Sequence, residues 1–376
     1  MRQLLDYIEK IILSNDSLKK FHPLYDALDT FLYSKNTTTK HGPHIRDSID
    51  LKRTMIMVVF ALMPAFLFGI WNVGYQHYIN TGSEIDVLNC FTYGLQIVLP
   101  MYIVVFTVGG ICEALFSILR NHEINEGFLV TGFLIPLTMP PTVPLWMLAV
   151  ATIFGVVIGK EIFGGTGYNI FNPALVTRAF LFFAYPTKMS GYMVWVSTPD
   201  AITKATPLLE KSNDSLESTF TLFDMFFGLI PGSIGETSTF CILLGALFLI
   251  MTGIGNWRIM LSCCLGAIAT SLLLNFVGSE TNSMFAVTPL EHLVMGGFAF
   301  GAVFMATDPV SASHTNIGRW IYGFLIGFMC ILIRCINPAY PEGMMLAILF
   351  GNAFAALIDY YVIQKHIKKR ESQYAK

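Results

Sequence analysis

The chain has 376 residues, 54% of them hydrophobic and 13% charged, with a net charge of −2. Soluble domains carry roughly a quarter charged residues, so a water-soluble globule is excluded, and the near-neutral balance argues against nucleic acid as a partner. Apolar runs of about 20 residues, the length a bilayer-spanning helix needs, recur along the chain, which reads as an all-α polytopic membrane protein.

Residues 1–52 are charged and amphipathic and read as a cytoplasmic N-terminal segment, not a cleavable signal. A first set of five helices is expected in 53–185, near 53–72, 91–118, 126–139, 143–160 and 171–185. Between the third and fourth lies "MPPTVP", Met139 to Pro144, whose Pro-Pro step cannot continue a helix, so one long run becomes a hairpin. A polar loop, 186–237, follows. A second set of five is expected in 238–364, near 238–254, 257–277, 289–306, 319–335 and 342–364, and a basic tail closes the chain at 365–376.

Lys and Arg set the orientation. With ten alternating spans, the N-terminal segment, the tail "QKHIKKR" and the loops at Arg120, Lys160, Arg258 and Arg319 share one side, while 73–90, 140–142 and 278–288 carry no Lys or Arg. Both termini are therefore expected in the cytoplasm and the 186–237 loop outside. The two sets also echo each other. "FNPALVTRAFLF" at 171–182 resembles "INPAYPEGMMLAILF" at 336–350, and "PLTMPPTVPLW" at 136–146 has a weaker counterpart in "FMATDPVSASH" at 304–314. Five helices per set makes the repeat inverted, an architecture of transporters with sites near the repeat interface.

Several polar groups fall where hydrocarbon is expected, at ~3 kcal/mol for a central charge: Glu113, Lys160, Glu161, Arg178, Asp308 and Asp359. Each reads either as an ion or cofactor contact or as a buried pair; Arg178 suits a carboxylate or a helix end equally well. "FGGTGYNIFNPA" puts Gly164, Gly165 and Gly167 before a helix start at Asn172-Pro173, where backbone can approach a ligand and fresh N–H groups point outward. "VGGICE", Val108 to Glu113, lies within a span, where small residues serve helix packing or open a slot. The seven cysteines form no C-x-x-C and lie mostly in apolar runs, so they read as buried hydrophobes, and no metal site is expected. Thr206, in "DAITKAT", sits in the polar loop either as part of a connector or as a point of attachment.

Taken together, "HIRDSIDLKRTMIM", "VGGICEALF", "HEINEGFLVTGFLIPLTMPPTVPLW", "KEIFGGTGYNIFNPAL", "RAFLFFAYP", "IPGSIGE", "GGFAFGAVFMATDPVSAS" and "RCINPAYPEGMMLAILFGN" closely resemble the B-subunit family of the bacterial sodium-pumping NADH:quinone oxidoreductases, from about residue 23 to the end. The resemblance implies an inner-membrane protein that holds FMN by a phosphoester to a threonine and riboflavin without a covalent bond, and passes electrons to ubiquinone or menaquinone coupled to Na+ transport. The family's acceptor motif, roughly Asp-x-x-Ser/Thr-Gly-Ala-Thr, aligns its last Thr with Thr206, on the periplasmic side. Lys204 stands where the family has Gly, and Thr203 is the runner-up acceptor. An ordinary hydroxyl is too weak a nucleophile to take FMN unaided, so a flavin transferase is an implied partner. By the same resemblance Gly109 and Gly110 belong to the quinone pocket and Glu113 and Asp359 to the sodium path. Gly164, Gly165, Thr166, Asn169 and Asn172, with Arg178, are assigned to riboflavin. The remaining implied partners are a subunit with NADH, FAD and iron–sulfur sites, a second covalent-FMN subunit and iron-binding membrane subunits. The alternatives are the D subunit of the related Rnf ferredoxin:NAD oxidoreductase complex and a secondary transporter without flavin.

Overall fold

The computed structural model of the chain describes residues 2–14, 49–120, 127–197, 205–212, 219–337 and 342–374, with scattered positions between 22 and 45. Among them the chain is helical, without strands. After an amphipathic helix at Arg2–Ser14 come α1 (Leu51–Thr81), α2 (Val87–Arg120), α3 (Gly127–Leu137), α4 (Leu145–Val157) and α5 (Pro173–Ala184). The second set comprises α6 (Thr239–Met251), α7 (Trp257–Val277), α8 (Pro289–Val294, resuming at Phe298–Phe300 and ending in a π-helical turn, Gly301–Met305), α9 (Asn316–Ile336) and α10 (Met344–Tyr374).

Six of these helices are long and apolar enough to cross a membrane: α1, α2, α4 with its extension to Phe163, α7, α9 and α10. Large apolar side chains such as Phe60, Ile103, Leu272 and Phe276 point outward from them, a surface suited to hydrocarbon and not to water. The chain is a multi-pass membrane protein. α3, α5 and α6 have only 11, 12 and 13 residues, about 17–20 Å at 1.5 Å per residue, short of a hydrocarbon core of about 30 Å. Irregular segments, 138–144, 158–172 and 228–238, complete their depth. Backbone of this kind is tolerated at membrane depth only where protein or a cavity surrounds it. Accordingly, Ile234 and Gly235 donate their N–H groups to the Met139 and Leu137 carbonyls, at 3.1 and 2.7 Å, locking 228–238 onto the proline break.

The expected spans differ from the structure in three places. α1 runs on to Thr81 because Asn72, Val73, Gly74 and Gln76 are buried, and it stops at Gly82 in the left-handed region, φ 67°. α10 continues through the basic tail to Tyr374. The expected helix 289–306 is broken at 295–297, with Gly296 at φ +62°. The fully buried Arg334 explains how the break survives: its guanidinium donates to the His292 and Met295 carbonyls at 2.7 and 2.9 Å and to the Glu342 carbonyl at 3.0 Å. One side chain thereby takes up the carbonyls that the broken helix frees.

Several packing neighbours recur on shifting by five helices, although the close packing of α1 on α2 has no counterpart between α6 and α7. α2 packs on α3 and α4 as α7 packs on α8 and α9; α3 and α4 pack on α5 as α8 and α9 pack on α10; α1 meets α3 as α6 meets α8. The sets join through α1 against α6 and α5 against α10. The most extensive contact is that of α7 with α9. A Cβ on Gly266 would lie 2.3 Å from the Phe324 carbonyl oxygen, and one on Gly327 2.0 Å from that of Cys263. Only residues without a Cβ let these backbones approach so closely.

Candidate functional site

Two polar clefts lie far apart along α1. Asn72 donates from Nδ2 to the carbonyl of Ile230, a wall residue of one cleft, while Thr54 lines the other. Those positions are about 27 Å apart along the helix.

The first cleft holds Thr206 at its rim. Thr206 caps the short helix Pro207–Ser212, its Oγ1 accepting from Leu209 N at 3.3 Å. Ser283 Oγ donates to the Lys211 carbonyl at 2.5 Å, and Lys211 pairs with Glu291 at 3.6 Å, so this helix is pinned to the start of α8. On the other side of the acceptor stretch, His77 and Tyr93, stacked at 3.9 Å, both bond the Ser197 carbonyl, at 2.6 and 3.0 Å. Asp200, Thr203 and Lys204 lie between, outside the described residues.

Ser233, Glu236, Thr237, Gly296 and Glu342 line the same cleft. Arg178, buried on α5, forms ion pairs with both Glu236 and Glu342 and reaches Ser233 Oγ at 3.5 Å. A guanidinium out of water needs such partners. The sequence reading grouped Arg178 with the glycine turn; the structure joins it instead to the carboxylates behind Thr206. Thr237 Oγ1 is buried in this cleft without a hydrogen-bond partner, and Asn72 Oδ1 and Gln76 Oε1 are likewise unpartnered.

The second cleft is a cavity of about 80 Å³ lined by the start of α1, by α3, by the turn after α4 and by the break after α8. Lys160, Thr166, Asn169 and Asn172 face it on one side, Phe304, Thr307 and Asp308 on another. The glycine turn forms as its composition suggests: Gly164, Gly165 and Gly167 take φ of +124°, +93° and +95°, angles that L side chains resist. Asn172 caps α5, accepting from Ala174 N at 3.0 Å and Leu175 N at 3.4 Å, and Asn169 Nδ2 donates to the Phe171 carbonyl at 3.0 Å. Thr166 Oγ1 is buried and unpartnered. Asp308 is held in a turn by Val310 N at 3.2 Å and Ser311 Oγ at 2.8 Å.

The remaining candidates divide between these features. Glu113 pairs with Lys160 at 2.5 Å, both buried, and so stands directly behind the cavity wall. Glu161 lies 3.8 Å from Arg120, beyond hydrogen-bond reach. Asp359 accepts from Ser313 Oγ (2.7 Å), His314 N (2.7 Å), Thr315 N (3.0 Å) and Thr315 Oγ1 (2.6 Å), gripping the end of the loop whose beginning, at Asp308, lines the cavity. Gly109 and Gly110 differ sharply: a Cβ on Gly109 would strike Phe128 Cζ at 2.0 Å, whereas one on Gly110 meets open space. Neither glycine lines the two clefts. Sequence reasoning missed Glu236, Thr237, Glu342 and Arg334. Only the Gly296-Gly297 pair, a local helix breaker, gave a signal near any of them.

Six long apolar helices and three half-span ones, with breaks after α3 and within α8 and two polar clefts spaced along α1, define a polytopic membrane protein. The chain belongs to the NQR2, RnfD, RnfE family, whose model matches residues 38–368. Among curated proteins it is similar to the B subunit of the Na(+)-translocating NADH-quinone reductase of Yersinia pestis, 49% identical over 410 aligned positions covering 99% of each chain. Proteins of the same name from Klebsiella pneumoniae strain 342 and Neisseria meningitidis serogroup A are 47% and 48% identical, again over 99% of each chain.

Proposed function

We propose that this chain is the B subunit of a sodium-translocating NADH:quinone oxidoreductase of a bacterial inner membrane, with FMN esterified to Thr206 and riboflavin in the cavity beside the glycine turn. Full-length similarity to relatives of that name carries the activity and favours it over an Rnf component or a plain transporter. Two orphaned hydroxyls support the flavin sites. Thr237 Oγ1 is buried in the cleft at Thr206, and Thr166 Oγ1 is buried in the cavity with Asn169 and Asn172. A buried hydroxyl without a partner is costly, and a flavin's carbonyl and amide edges would relieve both; at about 80 Å³ the cavity at Thr166 admits only an edge of the ring, so its walls must part to take the whole flavin. When bound, the flavins supply reversible electron transfer toward a quinone.

The chain's own residues hold these groups in place. Thr206 would tether one flavin on the periplasmic side, between the anchored Ser197 and the pinned helix Pro207–Ser212. Arg178, Glu236 and Glu342 form the rigid floor beneath it. Gly164, Gly165 and Gly167 let the turn wrap close to the second flavin, and Asn172 fixes the start of α5 against it. Glu113, behind Lys160, and Asp359, at the far end of the Asp308 loop, are the sodium-path groups in this reading. The open face at Gly110 is the quinone contact, with Gly109 admitting Phe128. The contacts that recur after five helices support an inverted repeat, and the Lys and Arg distribution supports cytoplasmic termini. A flavin transferase and the other subunits of the complex complete the system.

The test is in-gel ultraviolet fluorescence of the denatured protein, wild type beside Thr206→Val, each co-expressed with a flavin transferase. A fluorescent wild type and a dark variant are expected. A variant that still glows moves the bond, with Thr203 the next position to test. A dark wild type, beside a transferase active on another substrate, removes the covalent flavin from the proposal and points to Lys204.

A further inference from the structure

α7 and α9 run in the same direction, their N-terminal ends together. Arg258 at the start of α7 donates from Nη1 to Asn316 Oδ1 at 2.9 Å, and Arg319 on α9 reaches the same oxygen at 3.4 Å. Arg319 also donates from Nε to the Ser313 carbonyl at 3.4 Å. Two guanidinium groups thus converge on one neutral amide. Neither forms an ion pair with a carboxylate among the described residues. The nearby Asp359 is already engaged by Ser313, His314 and Thr315. Trp257 and Trp320 meet edge-to-face at 5.9 Å beside these arginines, and Arg258 lies 5.3 Å over the Trp257 ring. Cations with tryptophans at the ends of membrane helices mark the headgroup level.

A groove of about 560 Å³ lies between the two helices, lined by Leu265, Trp320, Ile321, Phe324 and Phe328; neither arginine lines it, and Trp320, against Trp257, joins it to the arginine level. It follows from the glycine contacts described above: Gly266, Gly323 and Gly327 draw the backbones together, so the larger side chains on one flank stand out as its walls. Leu265, Ile321 and Phe324 are nearly half exposed. The volume lies within the range of about 300–1,000 Å³ typical of ligand pockets. From Trp320 to Phe328 the groove runs about 12 Å along α9, the depth of part of an acyl chain and not of a headgroup alone.

We propose that this groove binds one anionic phospholipid, its phosphate between Arg258 and Arg319 and one acyl chain along Leu265, Phe324 and Phe328. The charge complementarity selects the occupant. A neutral quinone or an uncharged partner helix would use the apolar walls but leave both cations without a counter-charge, and a zwitterionic lipid would offset its own phosphate. The inference does not rest on the flavin reading, since no residue of either cleft takes part.

The experiment is native mass spectrometry of the whole complex released from mild detergent, counting cardiolipin, phosphatidylglycerol and phosphatidylethanolamine retained. With a cationic side chain near a membrane surface worth about fivefold in affinity, Arg258→Gln with Arg319→Gln should weaken anionic-lipid retention by about thirtyfold and leave phosphatidylethanolamine unchanged. Leu265→Trp, which fills the groove and keeps both charges, should reduce retention as well. Arg258→Lys with Arg319→Lys, should the Gln pair fail to assemble, should retain the lipid. Unchanged anionic lipid in the Gln pair and in Leu265→Trp overturns the proposal. So does equal loss of both lipid classes, or retained quinone in place of lipid. A photocrosslinker at Trp320 that captures a neighbouring protein chain instead of lipid overturns it too.

Discussion

Asp359 offers the sharpest test of how the loop 306–315 is held. Its carboxylate takes four hydrogen bonds, two from hydroxyls that can rotate toward other acceptors and two from the His314 and Thr315 amides, which cannot. Leaving a donor unpaired costs about 1–3 kcal/mol; these two amides are only part-buried, so the low end applies and Asp359→Ala should destabilise this loop by about 2 kcal/mol. Asp359→Asn keeps one oxygen for the three donors on Oδ1 but turns its own NH₂ toward His314 N, a loss of about 1 kcal/mol. The readout is hydrogen–deuterium exchange of residues 313–318, where local opening sets the rate. Exchange should quicken about thirtyfold in the Ala variant and about fivefold in Asn, at about 1.36 kcal/mol per decade. Wild-type protection in both variants would refute the hydrogen-bond account. A sodium titration of turnover on the Asn variant, whose loop stays better ordered, then isolates the ion. An unchanged midpoint there removes Asp359 from the sodium path.

The paired glycines separate packing from function. Gly109→Val should fail to accumulate because its side chain collides with Phe128. Gly110→Val should accumulate with normal flavin content but reduce quinone slowly; normal quinone kinetics would take Gly110 out of that contact. Lys160→Met leaves Glu113 as an uncompensated buried charge, a defect of about 3–5 kcal/mol, visible as a collapsed yield in fluorescence-detected size exclusion. Adding Glu113→Gln should restore most of that yield. A double variant as poor as the single would show that the pair matters for more than mutual neutralisation.

Much of this architecture was legible in the chain because one signal, apolar run length, is strong in a bilayer. Pro140, Pro141 and Pro144 marked the break after α3 for a local reason: three prolines in five residues remove too many N–H donors for a helix to continue, whereas a lone proline such as Pro64 or Pro100 is carried inside one. The break in α8 has no proline. It persists because Arg334, far along the chain, supplies donors to His292 and Met295, and no local pattern encodes that. The glycine turn and the Asn172 cap were readable from residue type and order. The company Arg178 keeps was not, since its partners lie 58 and 164 positions away. Thr237 illustrates the limit most plainly. A threonine is unremarkable in sequence, and only its burial without a partner singles it out.

The reach of Arg178 bears on how the protein is made. α5 leaves the ribosome well before Glu236, and Glu342 follows 164 residues later, roughly 8–33 s at ordinary synthesis rates. During that interval a short helix carries an arginine disfavoured in hydrocarbon by about 2.5–3.5 kcal/mol, with its second carboxylate not yet synthesised. α5 therefore has reason to linger at the insertion machinery until Glu236, 58 residues on, can supply the first counter-charge. Closure of the second ion pair, with Glu342, then reports that the chain has reached its final helix.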